Sequence, residues 1–324
     1  MRKFPKKHSQ ASYLFVIYGL FILVLLGIFF SYTYSHYKKN ALKDAQTSLD
    51  NMCASVEDSI STQLDNISTI SMNIVYSNAI KENFKEFSQA YQQYGINDVK
   101  TVESHKKAQT IHDIVTAMIG AYQSASDIKI YAMDGSCVEA GYGLSTYMVD
   151  LESLPWYEEC LRLNGKKLFT IPERHTELPA TTGDKNSQYY LSLVRLFLDS
   201  AGQPEGIVEV IQDCNKIFFL AQQLTESNPD TGICVYTSDG TCIYPFPDSE
   251  DVRTDLLDLI DLKHLEETQS TLIQNSSGET FLLNYQTIPA YDWTVILTRS
   301  KSAIYEPMKS FRKFFIIIGI ASFV

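Results

Sequence analysis

The pattern of hydrophobic positions begins with one long apolar run near the N-terminus. Tyr13 to Tyr32 is a stretch of twenty residues without charge or proline, and about 20 apolar residues span a ~30 Å hydrocarbon core. A cleaved signal peptide is the alternative, but its apolar region would be only roughly 7–15 residues long and would end in small residues. This run ends in bulky aromatic residues. The pattern therefore predicts an uncleaved transmembrane helix over residues 12–34, after a short tail at 1–11.

A second apolar run closes the sequence. Phe314 to Val324 is eleven residues long and almost wholly apolar, which predicts the start of a second span within residues 311–324. Basic residues flank the first span on both sides and favour a cytoplasmic N-terminus only slightly. Two spans would enclose one large domain. We therefore expect a multi-pass protein of the cell membrane with residues 35–310 outside the cell.

The segment after the first span has the period of a helix. No proline or glycine occurs from Ser35 to Phe87, and apolar residues recur at steps of three, four and seven at Leu42, Leu49, Met52, Val56, Ile60, Leu64, Ile67, Ile70 and Ile74. About fifty residues give a rod of roughly 75 Å. Two shorter helices with a break near Ser71–Asn73 are the alternative. The stripe is long enough that its part near the membrane is expected to pack against a second copy in a homodimer.

A second helix is predicted from Val102 to Tyr122, and strands follow it. The segment Ile130–Val138 matches Val235–Ile243, since both read aliphatic, Tyr, two residues, Asp-Gly, hydroxyl, Cys, aliphatic. Asp-Gly between strand-like runs is a strong hairpin signal. Two such hairpins predict two copies of one module, each an antiparallel meander of about five strands. The first copy, with the stalk, is assigned to 35–220 and the second to 221–310.

Charge and cysteine content narrow the function classes. All 38 acidic residues lie within residues 33–310 together with 21 of the 27 basic residues, so the domain carries −17. This charge disfavours nucleic acid and anionic lipid as its ligands. The six cysteines fit no metal-binding spacing and are expected to be small buried hydrophobes. Cys234 and Cys242 flank one tight turn, are not expected to lie directly opposite each other, and are not expected to form a disulfide.

Catalytic motifs are lacking from the sequence. The six histidines form no H-x-x-x-H or H-E-x-x-H pair, and neither a G-x-S-x-G motif nor a glycine-rich phosphate loop occurs. We therefore expect no enzymatic activity in this chain and no cofactor. An extracellular enzyme on a double anchor and a scaffold that binds only a partner protein are the alternative classes.

Several local sequences together resemble a known family of sensors. Leu154-Pro-Trp-Tyr157 precedes a predicted short helix, Gly206-Ile-Val-Glu-Val210 ends the first module, and Tyr291-Asp-Trp-Thr-Val-Ile296 precedes the last helix. In this order and between two spans, they resemble a double Cache (dCache) sensor domain over residues 35–310. The resemblance implies an α+β fold in which a long stalk helix precedes two tandem PAS-like modules of antiparallel sheet, flanked by transmembrane helices.

The resemblance also implies a function. The membrane-distal module of such sensors usually binds a small-molecule ligand. The N-terminal third is most similar to YesM-like sensor histidine kinases of Gram-positive bacteria, and the full-length protein is then expected to be a two-component kinase. Membrane-bound AraC-type regulators have the same front end, and chemoreceptors and diguanylate cyclases are further alternatives.

Two departures from the family pattern bear on the ligand. Family members that bind amino acids carry an arginine where Leu154 stands, and an aspartate at the position that corresponds to Ile211. Without either group, free amino acids are not expected, and sugars, peptides or other small molecules remain.

Candidate ligand-binding residues lie mainly in the long insertion of the first module. Trp156 and Tyr157 could stack on a ligand or pack in the core. Arg174 and His175 lie in a proline-bounded loop and could bind a polar ligand or face solvent. Arg195 lies in an apolar strand, where an arginine either pairs with a buried acid or points into a pocket. Weaker candidates are Tyr131, Tyr189 and Asp213.

Overall fold

One continuous helix joins the N-terminal apolar run to the domain. The computed structural model describes residues 10–94, 101–120, 124–141, 143–175, 189–199, 201–246, 268–274 and 278–309, with single residues 313 and 317. Helix α1 spans Gln10–Tyr76. Within the described residues it is the one helix long and apolar enough to cross a membrane, and its large apolar side chains up to Tyr32 are mostly exposed. The second apolar run lies outside the described residues except for Ile317.

The helical region is divided at Ser77. Helix α2 spans Asn78–Tyr94 and packs against α3, Thr101–Ile119. The Ser77 hydroxyl accepts a hydrogen bond from the backbone N–H of Ile80 at 3.3 Å, so Ser77 caps the start of α2. The expectation of one rod as far as Phe87 is therefore wrong, and the break falls at Ser77 rather than near Ser71–Asn73.

The first module is built on a seven-stranded antiparallel sheet. Its order is β3-β2-β1-β7-β6-β4, with β5 also paired to β6, which is more strands than the five expected. A 3-10 turn at Leu151–Ser153 and helix α4, Tyr157–Leu163, connect β3 to β4. The strands are β1 Asp127–Ala132, β2 Ser136–Ala140, β3 Leu144–Met148, β4 Leu168–Phe169, β5 Glu173–Arg174, β6 Tyr189–Leu198 and β7 Pro204–Asp213.

The second module repeats this plan with five strands in the order β10-β11-β12-β8-β9. In both modules the first strand of the Asp-Gly hairpin pairs with the strand that comes last in the chain, which is β7 in the first module and β12 in the second. The predicted repeat is therefore confirmed. The boundary at 220/221 falls inside α6 and stays a prediction. The elements are α5 Cys214–Ile217, α6 Phe219–Ser227, β8 Thr231–Thr237, β9 Cys242–Tyr244, β10 Thr268–Gln274, β11 Thr280–Ile288, β12 Trp293–Ser300 and α7 Lys301–Ile304.

The apolar stripe of α1 is buried within its own chain. Eight of its residues are at most 4% exposed, namely Leu49, Cys53, Val56, Ile60, Leu64, Ile67, Ile70 and Ile74. They pack into one core with residues of both sheets. The two modules of the same chain are together long enough to cover these positions, and a homodimer through the part of the stripe near the membrane stays a prediction.

Aromatic side chains join the two modules. Phe169 of β4 packs edge-on against Tyr291 and Trp293 of the second module, with ring centroids 5.2 and 6.0 Å apart. The Tyr291 hydroxyl donates a hydrogen bond to Asp65 of α1. The first sheet, the second sheet and the stalk therefore meet at one place.

The cysteines behave as expected from the sequence. Five of the six thiols are buried and Cys242 is half-buried. Cys242 lies opposite Tyr236, so it is not the direct cross-strand neighbour of Cys234.

The two Asp-Gly turns offer a matched test of the fold. Gly135 and Gly240 both have φ near +90°, and an alanine at such an angle costs about 1–2 kcal/mol. A Cβ on Gly135 would lie 2.3 Å from the carbonyl oxygen of Val149, whereas a Cβ on Gly240 meets nothing within 4 Å. We expect Gly240→Ala to lose about 1–2 kcal/mol of unfolding free energy and Gly135→Ala about 3 kcal/mol or more. Denaturation followed by circular dichroism measures both, and equal losses would contradict this difference in packing.

Candidate ligand-binding site

The two faces of the first sheet have different partners. Ile128 and Ile130 of β1 pack into the core shared with α1, whereas Tyr131 packs in a separate cluster with Trp156. Successive side chains of a strand point to opposite faces. We call the face of this sheet that carries Tyr131 the outer face and the face against α1 the inner face.

Part of the outer face is apolar and covered. Tyr131 lies between Cys137 and Ile207 on the neighbouring strands, and its ring centroid is 5.6 Å from that of Trp156. Trp156 is 9% exposed, and the half-buried Tyr157 packs beside it. The 3-10 turn and α4 therefore seal this part of the face, and Trp156 is a core residue there.

A polar row crosses the outer face next to this apolar part. Lys129 lies directly between Glu139 of β2 and Glu209 of β7. The Glu209 carboxylate accepts hydrogen bonds from the Tyr131 hydroxyl at 2.5 Å and from the Ser192 hydroxyl at 2.6 Å. Burial and the neighbouring Glu209 raise the pKa of Tyr131, so its hydroxyl stays protonated and donates.

Glu209 is therefore a buried carboxylate, 7% exposed, held at both oxygens by neutral donors. Its nearest cross-strand cation is Lys129. Buried carboxylates are rare unless hydrogen-bonded or paired. This arrangement holds a carboxyl group in a fixed position beside the apolar cluster and gives the face groups that can orient a polar ligand.

Three further predicted residues lie farther along the sheet. Asp213 follows the same outer-face alternation as Glu209 and caps α5 by accepting from the backbone N–H of Asn215 at 2.8 Å. Burial raises the pKa of Asp213. The His175 ring lies edge-on to Tyr190 with centroids 5.8 Å apart, and Arg174 is exposed on β5. The rest of the insertion, 176–188, lies outside the described residues.

Two predicted site residues lie on the inner face instead. Arg195 donates to the Ser71 hydroxyl of α1 at 3.2 Å and to the Gly165 carbonyl at 3.1 Å. Tyr189 stacks on Phe246 of the second module, with centroids 4.6 Å apart. Among the described residues, Arg195 therefore neither pairs with a buried acid nor shares the outer face with Trp156, and Tyr189 packs against the second module instead, because the strand alternation turns both side chains to the inner face.

The sequence pattern did not single out several polar groups of the outer face, which are Asp127, Lys129, Glu139, Ser192 and Glu209. Their signal was present in β1, where Asp, Lys and Tyr alternate with isoleucine. In β7 the signal was weaker, a single glutamate between two valines at Glu209. What was lacking was the pairing of the strands, which brings these residues side by side.

A separate cavity of about 380 Å³ lies away from the outer face. It is bounded by α2, by the turn between β1 and β2, and by the turn between β6 and β7. Within it the Ser88 hydroxyl donates to Asp134 at 3.1 Å. In the described part of the chain, no group of three or more metal-ligating side chains occurs.

Comparison with solved structures identifies the fold. The extracellular domain of vpHK1S-Z8, assigned as a histidine kinase, superposes with a TM-score of 0.56 at 13% identity over 82% of this chain and 97% of that chain. The ligand-binding domain of the Pseudomonas aeruginosa PAO1 chemoreceptor PctB, in complex with L-Arg, gives 0.52 at 15% identity over 82% and 98%. That of PctC from the same organism, in complex with GABA, gives 0.51 at 12% identity over 79% and 99%.

This chain has the fold of a bacterial receptor ligand-binding domain. The long N-terminal helix followed by two modules of antiparallel sheet was expected from the sequence, and this fold class is confirmed. No protein-family profile matches the sequence, and no curated protein matches it. At these low identities the superposition defines the fold alone.

Proposed function

We propose that residues 35–310 are the extracytoplasmic ligand-sensing region of a transmembrane signalling receptor, of the dCache type found in YesM-like sensor histidine kinases. The observation that carries the proposal is the outer face of the first sheet, with a fixed buried carboxylate beside an aromatic cluster. It occurs on a fold whose solved examples include receptor domains with bound small molecules. Mixed polar and aromatic groups of this kind orient small ligands.

The ligand is a small molecule bound on the outer face, beside the polar row around Glu209. Ile211 lies on this face between Asp127 and Ser192, and Leu154 packs with Trp156. Neither side chain can hold the carboxylate or the ammonium of a free amino acid. The solved relatives that hold L-Arg and GABA therefore share the fold with this chain, while its own ligand differs.

The signal reaches the stalk through β6. This strand carries Ser192 on the outer face and Arg195 on the inner face, where Arg195 contacts Ser71 of α1. A ligand that moves β6 would shift this contact, and the helix would carry the shift toward the membrane. Such a ligand biases the balance between two arrangements only by its differential affinity, typically ~1–3 kcal/mol of coupling.

A thermal-shift screen of the full chain in detergent micelles tests the proposal. Sugars, peptides, amino acids, organic acids and amines are each added, and a ligand present at 100 times its Kd adds about 2.7 kcal/mol of stability. We expect at least one hit to raise the melting temperature of the wild type and to lose most of that shift in Glu209→Gln.

Glu209→Gln suits this test because glutamine keeps the size of the side chain, and its one carbonyl oxygen can accept from Tyr131 or Ser192 while its NH2 group donates to the other hydroxyl. The matched control is Glu152→Gln, an exposed carboxylate in the 3-10 turn of the same module. A hit that stabilises the wild type and Glu209→Gln equally would place the ligand elsewhere, and the cavity beside α2 would then be the next site to test. The absence of any hit would reject small-molecule sensing.

A further inference from the structure

Two carboxyl groups meet at the edge of the outer face. Asp127 begins β1 and is 2% exposed. Its Oδ1 accepts a hydrogen bond from the backbone N–H of Ile128 at 2.9 Å. Its Oδ2 is buried and receives no hydrogen bond from the residues that the structure describes. An unsatisfied buried carboxylate oxygen is costly.

The group that faces Asp127 is another carboxyl. Glu139 of β2 lies within hydrogen-bonding reach of Asp127, and burial with this neighbour raises the pKa of Asp127 to about 8. Two ionised carboxylates have only acceptors, so they stay in contact only if a proton or another cation lies between them. The pair of carboxyls therefore favours a proton or another cation between them.

The fold leaves room for this arrangement. A Cβ on Gly141, just past the end of β2, would lie 2.2 Å from Asp127 Oδ1. The missing Cβ of Gly141 thus leaves space for the Asp127 carboxyl beside Glu139. Glu139 is half-buried rather than sealed, and the hydroxyl of Tyr147 on β3 hydrogen-bonds with it.

The surrounding charges leave a negative excess. The charged groups beside the pair are Lys129, which lies between Glu139 and Glu209 on the sheet, and Glu209 itself. The nearby Cys137 thiol and Tyr147 hydroxyl have pKa values raised mainly by burial, and both stay neutral. Three carboxyl groups against one ammonium leave a net charge of about −1 even when one proton is held by the pair.

We propose that the position between the carboxyl groups of Asp127 and Glu139, which we call the slot, binds the protonated amine of a ligand that carries no carboxylate. A primary ammonium has three N–H donors, and the two carboxylates and the Tyr147 hydroxyl are three acceptors. A ligand carboxylate would instead face the excess of negative charge. This proposal rests on the proposed function, since it names the ligand class for the same face.

Isothermal titration calorimetry of the full chain in detergent micelles tests it with two matched probes. n-Butylamine and 4-aminobutyrate have the same chain and the same amine, and only the second has a carboxylate. At pH 7.5 and 0.15 M salt we expect n-butylamine to bind about tenfold tighter or more. Glu139→Gln should weaken n-butylamine binding about tenfold or more, because a charged hydrogen-bond acceptor is lost.

Two further variants test whether the amine binds at the slot itself. Glu152→Gln removes a carboxylate of the same module away from the slot, so it should leave the affinity for n-butylamine unchanged. An equal loss in Glu152→Gln and Glu139→Gln would mean only diffuse attraction to the acidic domain and would overturn the proposal. Tyr147→Phe should also weaken binding, and it serves as the second variant if Glu139→Gln does not fold.

The outcomes separate this proposal from the proposed function. Equal or tighter binding of 4-aminobutyrate, or an unchanged affinity in folded Glu139→Gln, rejects the amine assignment alone. If neither probe binds but a sugar or peptide binds and depends on Glu209, the amine assignment is rejected and ligand sensing stands. If no compound of any class binds, both are rejected.

Discussion

Replacing Trp156 with alanine is expected to destabilise the first module by about 3–5 kcal/mol, as for other buried tryptophans. The side chain is 9% exposed and packs with Tyr131, Cys160 and Leu196 between the 3-10 turn and the sheet. Its removal leaves a cavity under a short helix that cannot easily close over it. Thermal denaturation of the full chain followed by circular dichroism measures this loss.

Tyr157→Ala is the matched control for Trp156→Ala. Tyr157 is the next residue and is only half-buried, so its truncation should cost about 1–2 kcal/mol. If Trp156→Ala melted like the wild type but lost ligand binding, Trp156 would be a ligand contact rather than a core residue. The sequence alone left both roles open.

The second large effect is a dependence of stability on pH that Asp127→Asn removes. Burial, with a contribution from Glu139, raises the pKa of Asp127 from 3.8 to about 8. Between pH 4 and 8 the unfolded chain releases this proton while the folded chain keeps it. The contribution of this bound proton to the unfolding free energy is therefore fully present below about pH 4 and is lost as the pH rises from 4 to 8. Above about pH 8 it does not change further.

Asparagine resembles the protonated aspartic acid and does not titrate. The unfolding free energy of Asp127→Asn relative to the wild type should therefore increase from pH 4.5 to pH 8.5 by on the order of 4 kcal/mol. Urea denaturation at pH 4.5, 6.5 and 8.5, without added ligand, measures the difference. Parallel profiles for the two proteins would mean that Asp127 ionises normally in the folded state.

The sequence predicted the large elements because their signals are local. The stripe of α1 has a helical period over many turns, and each Asp-Gly pair defines its own hairpin through a glycine with positive φ. The internal repeat then predicted two similar modules, which both sheets confirm. The end of α1 at Ser77 was missed because the residues on both sides of it favour helix, and only one capping hydroxyl marks the break.

The faces of β6 could not be predicted in the same way. Nine of its ten residues are buried. Helix α1 packs on one side of the strand and α4 packs on the other. A strand buried on both faces loses the alternation that tells inside from outside. The sequence therefore did not show which face of the sheet carries Arg195.

The pairing of β1 with β7 was also beyond the sequence. It joins residues about eighty positions apart and brings Lys129 beside Glu209. Neither Glu209 nor Asp127 stands out when read alone, since the charged neighbours of each lie on other strands of the sheet. Their proximity to other charged groups exists only in the folded sheet.

The helix α1 also constrains how this chain can change length during evolution. Asp50 and Asp65 bond to the second module, through Asn284 and Tyr291, and Ser71 bonds to Arg195 of the first. One residue inserted between Asp65 and Ser71 would rotate the part of α1 after the insertion by about 100° and shift it along the helix axis by about 1.5 Å, relative to the part before it. Only insertions near whole numbers of turns, of about seven residues, would present both modules with their own side of the helix again.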